Sequence, residues 1–214
     1  MKKVVLGGLA EAVLAYDPEA AIRWARQVVA EGIDPIEALN VLTDAIRQVG
    51  DGFETGELFL PELVGAAGAM QAAMPVLQEQ IDRSGAVRQS LGVIVIGTVF
   101  GDIHTIGKTM VATLCAAEGF EVHDIGVNVT AEEFVDCIIG TGADIVAISA
   151  LMTMTVPEIR KVIRALEQKG LRDRVKVMVG GGGVTEAFAE LVGADGYDPT
   201  APGAAKLARK LVGK

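Results

Sequence analysis

A change of period near residue 90 constrains this chain more than any other feature of it. Beyond that point, unbroken apolar runs alternate with helical segments: "LGVIVIGTV" at 91–99, "FEVHDIG" at 120–126, "ADIVAIS" at 143–149, "VKVMVG" at 175–180 and the short "ADGY" at 194–197. A strand with one wet face alternates polar and apolar residues, whereas a strand apolar at nearly every position is buried on both faces. Runs of this kind, each followed by a helix, specify a parallel sheet covered by helices on both sides. Five such units with right-handed crossovers predict an α/β, doubly wound, five-stranded parallel sheet in the order 2-1-3-4-5 over residues 91–214.

Residues 1–84 carry the helical period instead. Asp17-Pro18 and Asp34-Pro35 each place an N-cap acid before a proline at the first helical position, and Gly32 follows the end of a helix. Ile22, Ala25, Val28 and Val29 recur at helical spacing, as do Ala38, Leu42, Ala45, Ile46 and Val49. The opening "MKKVVLGGLAEAVLAYD" is interrupted by Glu11 and reads as an amphipathic helix, not a signal peptide. After the break at "GDGFETGELFLPE", a helix over about 61–81, rich in Ala and Met, completes a small four-helix bundle. The polar stretch "RSGAVRQS" at 83–90 separates the two patterns. The expected organisation is therefore a helical domain at 1–84, a linker at 85–90 and a flavodoxin-like α/β domain at 91–214.

A net charge of −9 with no cluster of Lys and Arg excludes a nucleic-acid face and an anionic membrane surface, and the chain reads as cytoplasmic. The two cysteines, Cys115 and Cys137, fall in separate predicted helices without Cys-x-x-Cys spacing, so they read as small core residues rather than a disulfide or a zinc site.

In the order 2-1-3-4-5, the carboxyl ends of strands 1, 3 and 4 stand side by side at the switch point, where such sheets bind ligands. The unusual residues gather there: strand 1 runs into "GDIHTIGKT" (101–109), strand 3 into "SALMTMT" (149–155) and strand 4 into "GGGG" (180–183). Most ordinary ligands fit poorly; the fold alone leaves flavin open, but a flavin site does not call for a lone His behind an Asp. Gly107-Lys108-Thr109 completes half a phosphate loop, but Asp102 occupies the first glycine's place and would repel a phosphate. No G-x-G-x-x-G follows strand 1, and Ser149, not Asp, ends strand 3 as a phospho-receiver would require. His123 lies within the second strand and reads as an ordinary polar residue. His104 differs, because Asp102 is close enough to accept its Nδ1 hydrogen and leave Nε2 free for a metal. With no second His or Cys nearby, that metal brings most of its own coordination sphere.

Here the sequence resembles a known family. "DIHTIG", then forty-one residues, "SAL", twenty-eight residues and "GG" is similar to the D-x-H-x-x-G, S-x-L, G-G signature of the cobalamin-binding domains of methionine synthase and methyltransferase corrinoid proteins. Three fixed residues in a hexamer arise by chance about once in 10⁴ starts. The segment "VGDGFETGELFLPEL" (49–63) resembles the four-helix cap that precedes this domain in those proteins. The resemblance implies a cobalamin whose own base is detached from cobalt and buried beside the sheet, with His104 as axial ligand and Asp102 and Thr155 completing a relay. It implies that Ser149 bonds the buried tail, that Leu151 packs near it, and that Gly107, Gly180, Gly181 and Gly182 make room. Ile103, Thr105, Ile106, Met152, Thr153 and Met154 would line the corrin, and Phe53 and Leu60 of the cap would contact its upper face. Thr105 stands where many members have Asp, Thr109 where many have Asn, and "GGGG" replaces the more usual "GGA", which suggests a looser turn after strand 4.

The function implied is that of a methyl carrier and not of a complete enzyme: one methyltransferase loads cobalt from a donor, and a second passes the methyl to a folate or thiol, with a reductive activase as a further partner. The cobalamin module of a radical mutase and a corrinoid storage or sensor protein are the alternatives. The first needs a large barrel, and a sensor needs a signalling module for which 214 residues leave no room.

Overall fold

The structure, a computed structural model, describes residues 1–84 and 90–213, so residues 85–89 of the expected linker lie outside the described residues. The chain divides into two compact units, Met1–Gln89 and Ser90–Lys214.

The first unit comprises α1 (Lys2–Leu14), α2 (Pro18–Ala30), α3 (Pro35–Glu54) and α4 (Leu60–Ser84). The two Asp-Pro pairs start helices as the sequence predicts. Asp17 accepts a hydrogen bond from the Ala20 N–H and Asp34 from the Ile36 N–H, each at 2.9 Å, and each proline sits where no intrahelical N–H is needed. Of the periodic residues, Ala25, Val28, Ala38, Leu42, Ala45, Ile46 and Val49 are buried, as are Leu9, Ala21, Leu63 and Leu77, whereas Ile22 and Val29 are half-buried at the edge of that stripe. At Gly8 the bare backbone admits the Trp24 indole, which a Cβ would meet at 2.2 Å. The last helix starts at Leu60, one residue before the expected Pro61, because the Glu62 carboxylate accepts from the Phe59 N–H at 3.0 Å and caps the turn there. By length and composition Leu60–Ile81 could cross a membrane, but Leu63, Ala66, Ala69, Met70, Ala73 and Leu77 of this helix are buried in the bundle, as in a core helix.

The second unit alternates β1 (Val93–Thr98), α5 (Ile106–Glu118), β2 (Glu121–Asp124), α6 (Ala131–Thr141), β3 (Ile145–Ser149), α7 (Val156–Gln168), β4 (Lys176–Gly180), α8 (Glu186–Val192), β5 (Gly196–Tyr197) and α9 (Ala201–Leu211). All strands are parallel in the order β2-β1-β3-β4-β5, the expected doubly wound sheet. The fifth strand is only two residues long. Ile94, Val95 and Ile96 of β1 and Ile145, Val146 and Ile148 of β3 are buried, which is why these runs do not alternate. On one side of the sheet Phe134 of α6 is fully buried, which stabilises the fold by about 2–3 kcal/mol. Cys115 is buried in α5, where desolvation, and then the Glu118 carboxylate, push its thiol up to about 12, in keeping with an inert core residue.

The register aligns the strand ends. Thr98 pairs with Ser149, and Ser149 with Gly180, so the last residues of three adjacent strands lie in one row.

Candidate functional site

From the end of β1 the chain turns through Gly101, whose φ of 78° belongs to the left-handed region that glycine adopts without strain. The turn sends Asp102 inward, where its side chain is fully buried. One carboxylate oxygen, Oδ1, accepts from the His104 N–H at 3.1 Å and faces His104 Nδ1 at 2.7 Å. The other, Oδ2, accepts from the N–H groups of Leu151 and Met152, at 2.9 and 3.2 Å, and from the Thr155 hydroxyl at 2.6 Å. The loops after β1 and β3, some fifty residues apart in sequence, are thus joined through one carboxylate.

Burial by itself raises the Asp102 carboxyl. The Thr155 hydroxyl, the His104 imidazole and the N–H groups of His104 and Leu151 together outweigh that penalty and hold it well below the usual carboxylate range. An ionised carboxylate only accepts hydrogen bonds, so the neutral imidazole carries its proton on Nδ1 and its lone pair on Nε2. The His104 side chain is 48% exposed, and Nε2 has no partner among the described residues. Thr155 Oγ1 also lies 2.9 Å from the Met152 carbonyl, but its one hydrogen is drawn to the shorter, charged contact.

The surroundings are apolar and open. Phe100, Ile103, Ile106, Leu151, Met152 and Met154 are all exposed, Ile103 to 73% and Met154 to 87%. Large apolar side chains grouped at loop tips mark a surface that another molecule covers. Thr153 is exposed within the same turn, and the Thr105 hydroxyl lies 3.2 Å from that of Thr109 at the start of α5. Ser149 is half-buried at the tip of β3, and its hydroxyl has no partner among the described residues. Phe53 is half-buried and Leu60 exposed in the helical unit, where Phe59 and Val64 are exposed as well.

The glycines divide into two kinds. A Cβ at Gly107 would meet nothing within 4 Å, and one at Gly180 only the Asp198 carbonyl at 3.4 Å. At Gly181, with φ of 104°, a Cβ would stand 2.4 Å from the Ala150 carbonyl, at Gly182 2.9 Å from Leu151 Cδ1, and at Gly183 2.7 Å from the Leu151 carbonyl. The run after β4 therefore packs tightly against the loop after β3, in place of the looser turn its four glycines suggest.

Three contributors escape a sequence reading. Asn128, itself at φ 57°, accepts from the Gly101 N–H through Oδ1 at 2.8 Å and donates its own N–H to the Asp102 carbonyl at 2.9 Å, bracing the turn from the loop after β2. Lys108 is buried and forms a two-pronged ion pair with Asp124 at the end of β2. Thr98, fully buried, donates its hydroxyl to the His104 carbonyl at 2.9 Å. The only sequence signal for these is the lysine at 108, within the helical segment after strand 1, because a buried ammonium needs a carboxylate partner.

Two family models, each described as a B12 binding domain, match this chain, one over residues 92–206 and the other over residues 5–78. The sequence is 44% identical to dimethylamine corrinoid protein 1 of Methanosarcina mazei, over 100% of this chain and 99% of that one. A cobalamin-binding protein from Desulfitobacterium hafniense has a similar structure, with a TM-score of 0.76 and 32% identity, over 97% of this chain and 98% of the other. A chain of the methanol:cobalamin methyltransferase complex MtaBC from Methanosarcina barkeri matches with a TM-score of 0.86 and 27% identity, over 100% of this chain and 82% of that one.

Proposed function

The chain belongs to the B12-binding corrinoid-protein family, and from that premise we propose that it is the methyl carrier of a corrinoid-dependent methyltransferase system, with His104 as the protein ligand to cobalt and the cofactor's own base displaced. One observation carries the reading: a buried carboxylate saturated with donors, bonded to an imidazole whose other nitrogen has no partner among the described residues.

The residues present fit the cofactor. Among the described residues no group of three His, Cys, Asp or Glu side chains could hold a bare ion, so a single imidazole suits a metal already held by a macrocycle. Gly107 leaves open space, a Cβ at Gly180 would meet only the Asp198 carbonyl at 3.4 Å, the Ser149 hydroxyl has no partner among the described residues, and the exposed apolar side chains of Ile103, Ile106, Leu151, Met152 and Met154 suit a broad, flat, largely apolar ring. When bound, cobalamin supplies a cobalt centre that accepts a methyl group from one partner and yields it to another.

The protein's part is to aim and hold. Asp102 keeps the imidazole in the tautomer that presents the Nε2 lone pair, and Thr155 with the amides of Leu151 and Met152 keeps Asp102 charged and still. Because Nδ1 stays bonded to Asp102, the ring returns to the same orientation whenever its outer nitrogen is released. We assign Thr105 and Thr153 to the rim, Gly181 and Gly182 to the turn that shapes its far wall, and Phe53 and Leu60 of a cap at 1–84 to the opposite side of the cofactor. Residues 85–90 would link that cap to the cofactor domain at 91–214.

The partners are a methyltransferase specific for the donor and a second one for a folate or thiol acceptor, with a reductive activase. Relatives named for dimethylamine and trimethylamine favour a methylated amine as donor. The decisive experiment is the electron paramagnetic resonance spectrum of the Co(II) form prepared with ¹⁵N-labelled histidine. Splitting from a single histidine nitrogen, lost in His104→Ala, is expected. The same splitting in His104→Ala, or none in the wild type, refutes the assignment.

A further inference from the structure

His104 has three polar groups besides Nε2, and its bonds to Asp102 account for two of them. Its N–H and its Nδ1 are both held by Asp102 Oδ1. The third, the main-chain carbonyl, accepts from the Thr98 hydroxyl at 2.9 Å. No N–H of α5 reaches that carbonyl: the first bond on this side of the helix runs from the Thr109 N–H to the Thr105 carbonyl at 2.8 Å. The hydroxyl is the carbonyl's sole donor among the described residues.

Thr98 is well placed to act as a fixed post. It is the last residue of β1 and fully buried. Its N–H donates to the Gly126 carbonyl and its own carbonyl accepts from the Val129 N–H, each at 3.0 Å, and it pairs in register with Ser149 of β3. A β-branched side chain on a backbone held from both sides has little rotamer freedom. Its hydroxyl therefore offers a hydrogen at a set point, six residues before the carbonyl that takes it.

We propose that Thr98 is a positioning residue for the cobalt ligand: its hydroxyl pins the His104 carbonyl, so that the loop holds the imidazole at two separated points, the ring through Asp102 and the main chain through β1. The proposal rests on the assignment of His104 as that ligand. Without the second point the 102–105 segment can pivot about Asp102, and the imidazole spends less of its time where Nε2 meets the metal.

The test compares wild type, Thr98→Val and Thr98→Ser, each full-length, loaded with cobalamin, reduced to Co(II) and labelled with ¹⁵N-histidine. The measured quantity is the ratio of histidine-bound to histidine-free cobalt, from the resolved nitrogen splitting, with thermal unfolding recorded alongside. Valine keeps the shape and removes the donor to a buried carbonyl, so the ratio is expected to fall about tenfold. Serine restores the donor and is expected to bring the ratio back to within about twofold of wild type. A valine variant with the wild-type ratio overturns the proposal, even if its melting temperature drops, and so does an equal fall in the serine variant. Should the valine variant fail to fold, Thr98→Cys, with a similar shape and a weak donor, takes its place: an intermediate ratio supports the proposal and a wild-type ratio overturns it. Absence of histidine splitting in the wild type removes the ligand assignment and this proposal together, whereas wild-type splitting that survives undiminished in the valine variant removes this proposal alone.

Discussion

Replacing Asp102 with Asn tests the site with the smallest change of shape. The carboxylate receives donors on both oxygens, and an amide cannot. Toward Oδ2 point two main-chain N–H groups that have no other acceptor among the described residues, so the amide oxygen must settle there and its NH₂ must face His104. The imidazole can accept from that NH₂ only by moving its proton from Nδ1 to Nε2, which removes the lone pair that would bind a metal. The His104 N–H, now 3.1 Å from another donor, is left unpaired, at about 1–3 kcal/mol, and the remaining bonds to residue 102 lose their charge assistance. Relief from burying a charge offsets part of this. Because the Asp102 carboxyl is held below the usual range, its donors outweigh the desolvation, and a net loss of about 3 kcal/mol remains. Two measurements on the cofactor-free protein check this. Nitrogen NMR of the neutral imidazole is expected to show the proton on Nδ1 in wild type and on Nε2 in the variant. Amide hydrogen exchange over 99–107 and 149–156 is expected to accelerate roughly a hundredfold. An Nδ1 proton in the Asn variant would refute the tautomer reasoning, and unchanged exchange would refute the energetics.

Asp124→Asn leaves the Lys108 ammonium, 2% exposed, buried without a counter-charge, and is expected to cost about 3 kcal/mol, whereas Lys108→Met leaves an Asp124 side chain that is 36% exposed and can resolvate, at about 1 kcal/mol; urea unfolding followed over the second unit would reveal the asymmetry. Because the folded carboxyl of Asp102 lies below its unfolded value of about 3.9, its contribution is complete above that pH and is lost as pH falls through the folded value; acid-induced exchange over 99–107 should lose this dependence in Asp102→Asn. Gly107→Ala, with no atom within 4 Å of the new Cβ, is expected to stabilise α5 by about 0.5–1 kcal/mol yet weaken cobalamin binding measured by titration, while Gly181→Ala, strained at φ 104° and 2.4 Å from a carbonyl, is expected to lower the melting temperature sharply.

Much of this molecule is legible along the chain because its signals are local. Unbroken apolar runs stand for strands with two dry faces, and the structure places those runs in β1, β3 and β4 with their middles buried. Asp17-Pro18 and Asp34-Pro35 start helices because the capping acid and the missing N–H act within one turn. The Asp-x-His pair is legible for the same reason, as two residues apart on one loop can bond directly. The glycines after β4 are misleading: composition suggests slack, but their missing side chains accommodate the carbonyls of Ala150 and Leu151, which only the loop after β3 supplies. Thr98 and Asn128 carry no motif, and the half phosphate loop around Lys108 does not reveal its Asp124 partner, since each works through a partner outside its own element.

What the sequence determined alone is the layered architecture, the doubly wound order and the residues at the switch point, because period, caps and crossover handedness act over one element or its neighbours. The tertiary structure alone decided that the N–H groups of Leu151 and Met152, some fifty residues away, complete the donor set of the Asp102 carboxylate, and that Thr98 and Asn128 brace its loop. The reason is physical: which donors surround a buried charge depends on where folding brings distant main-chain N–H groups, and those groups are the same in every residue except proline.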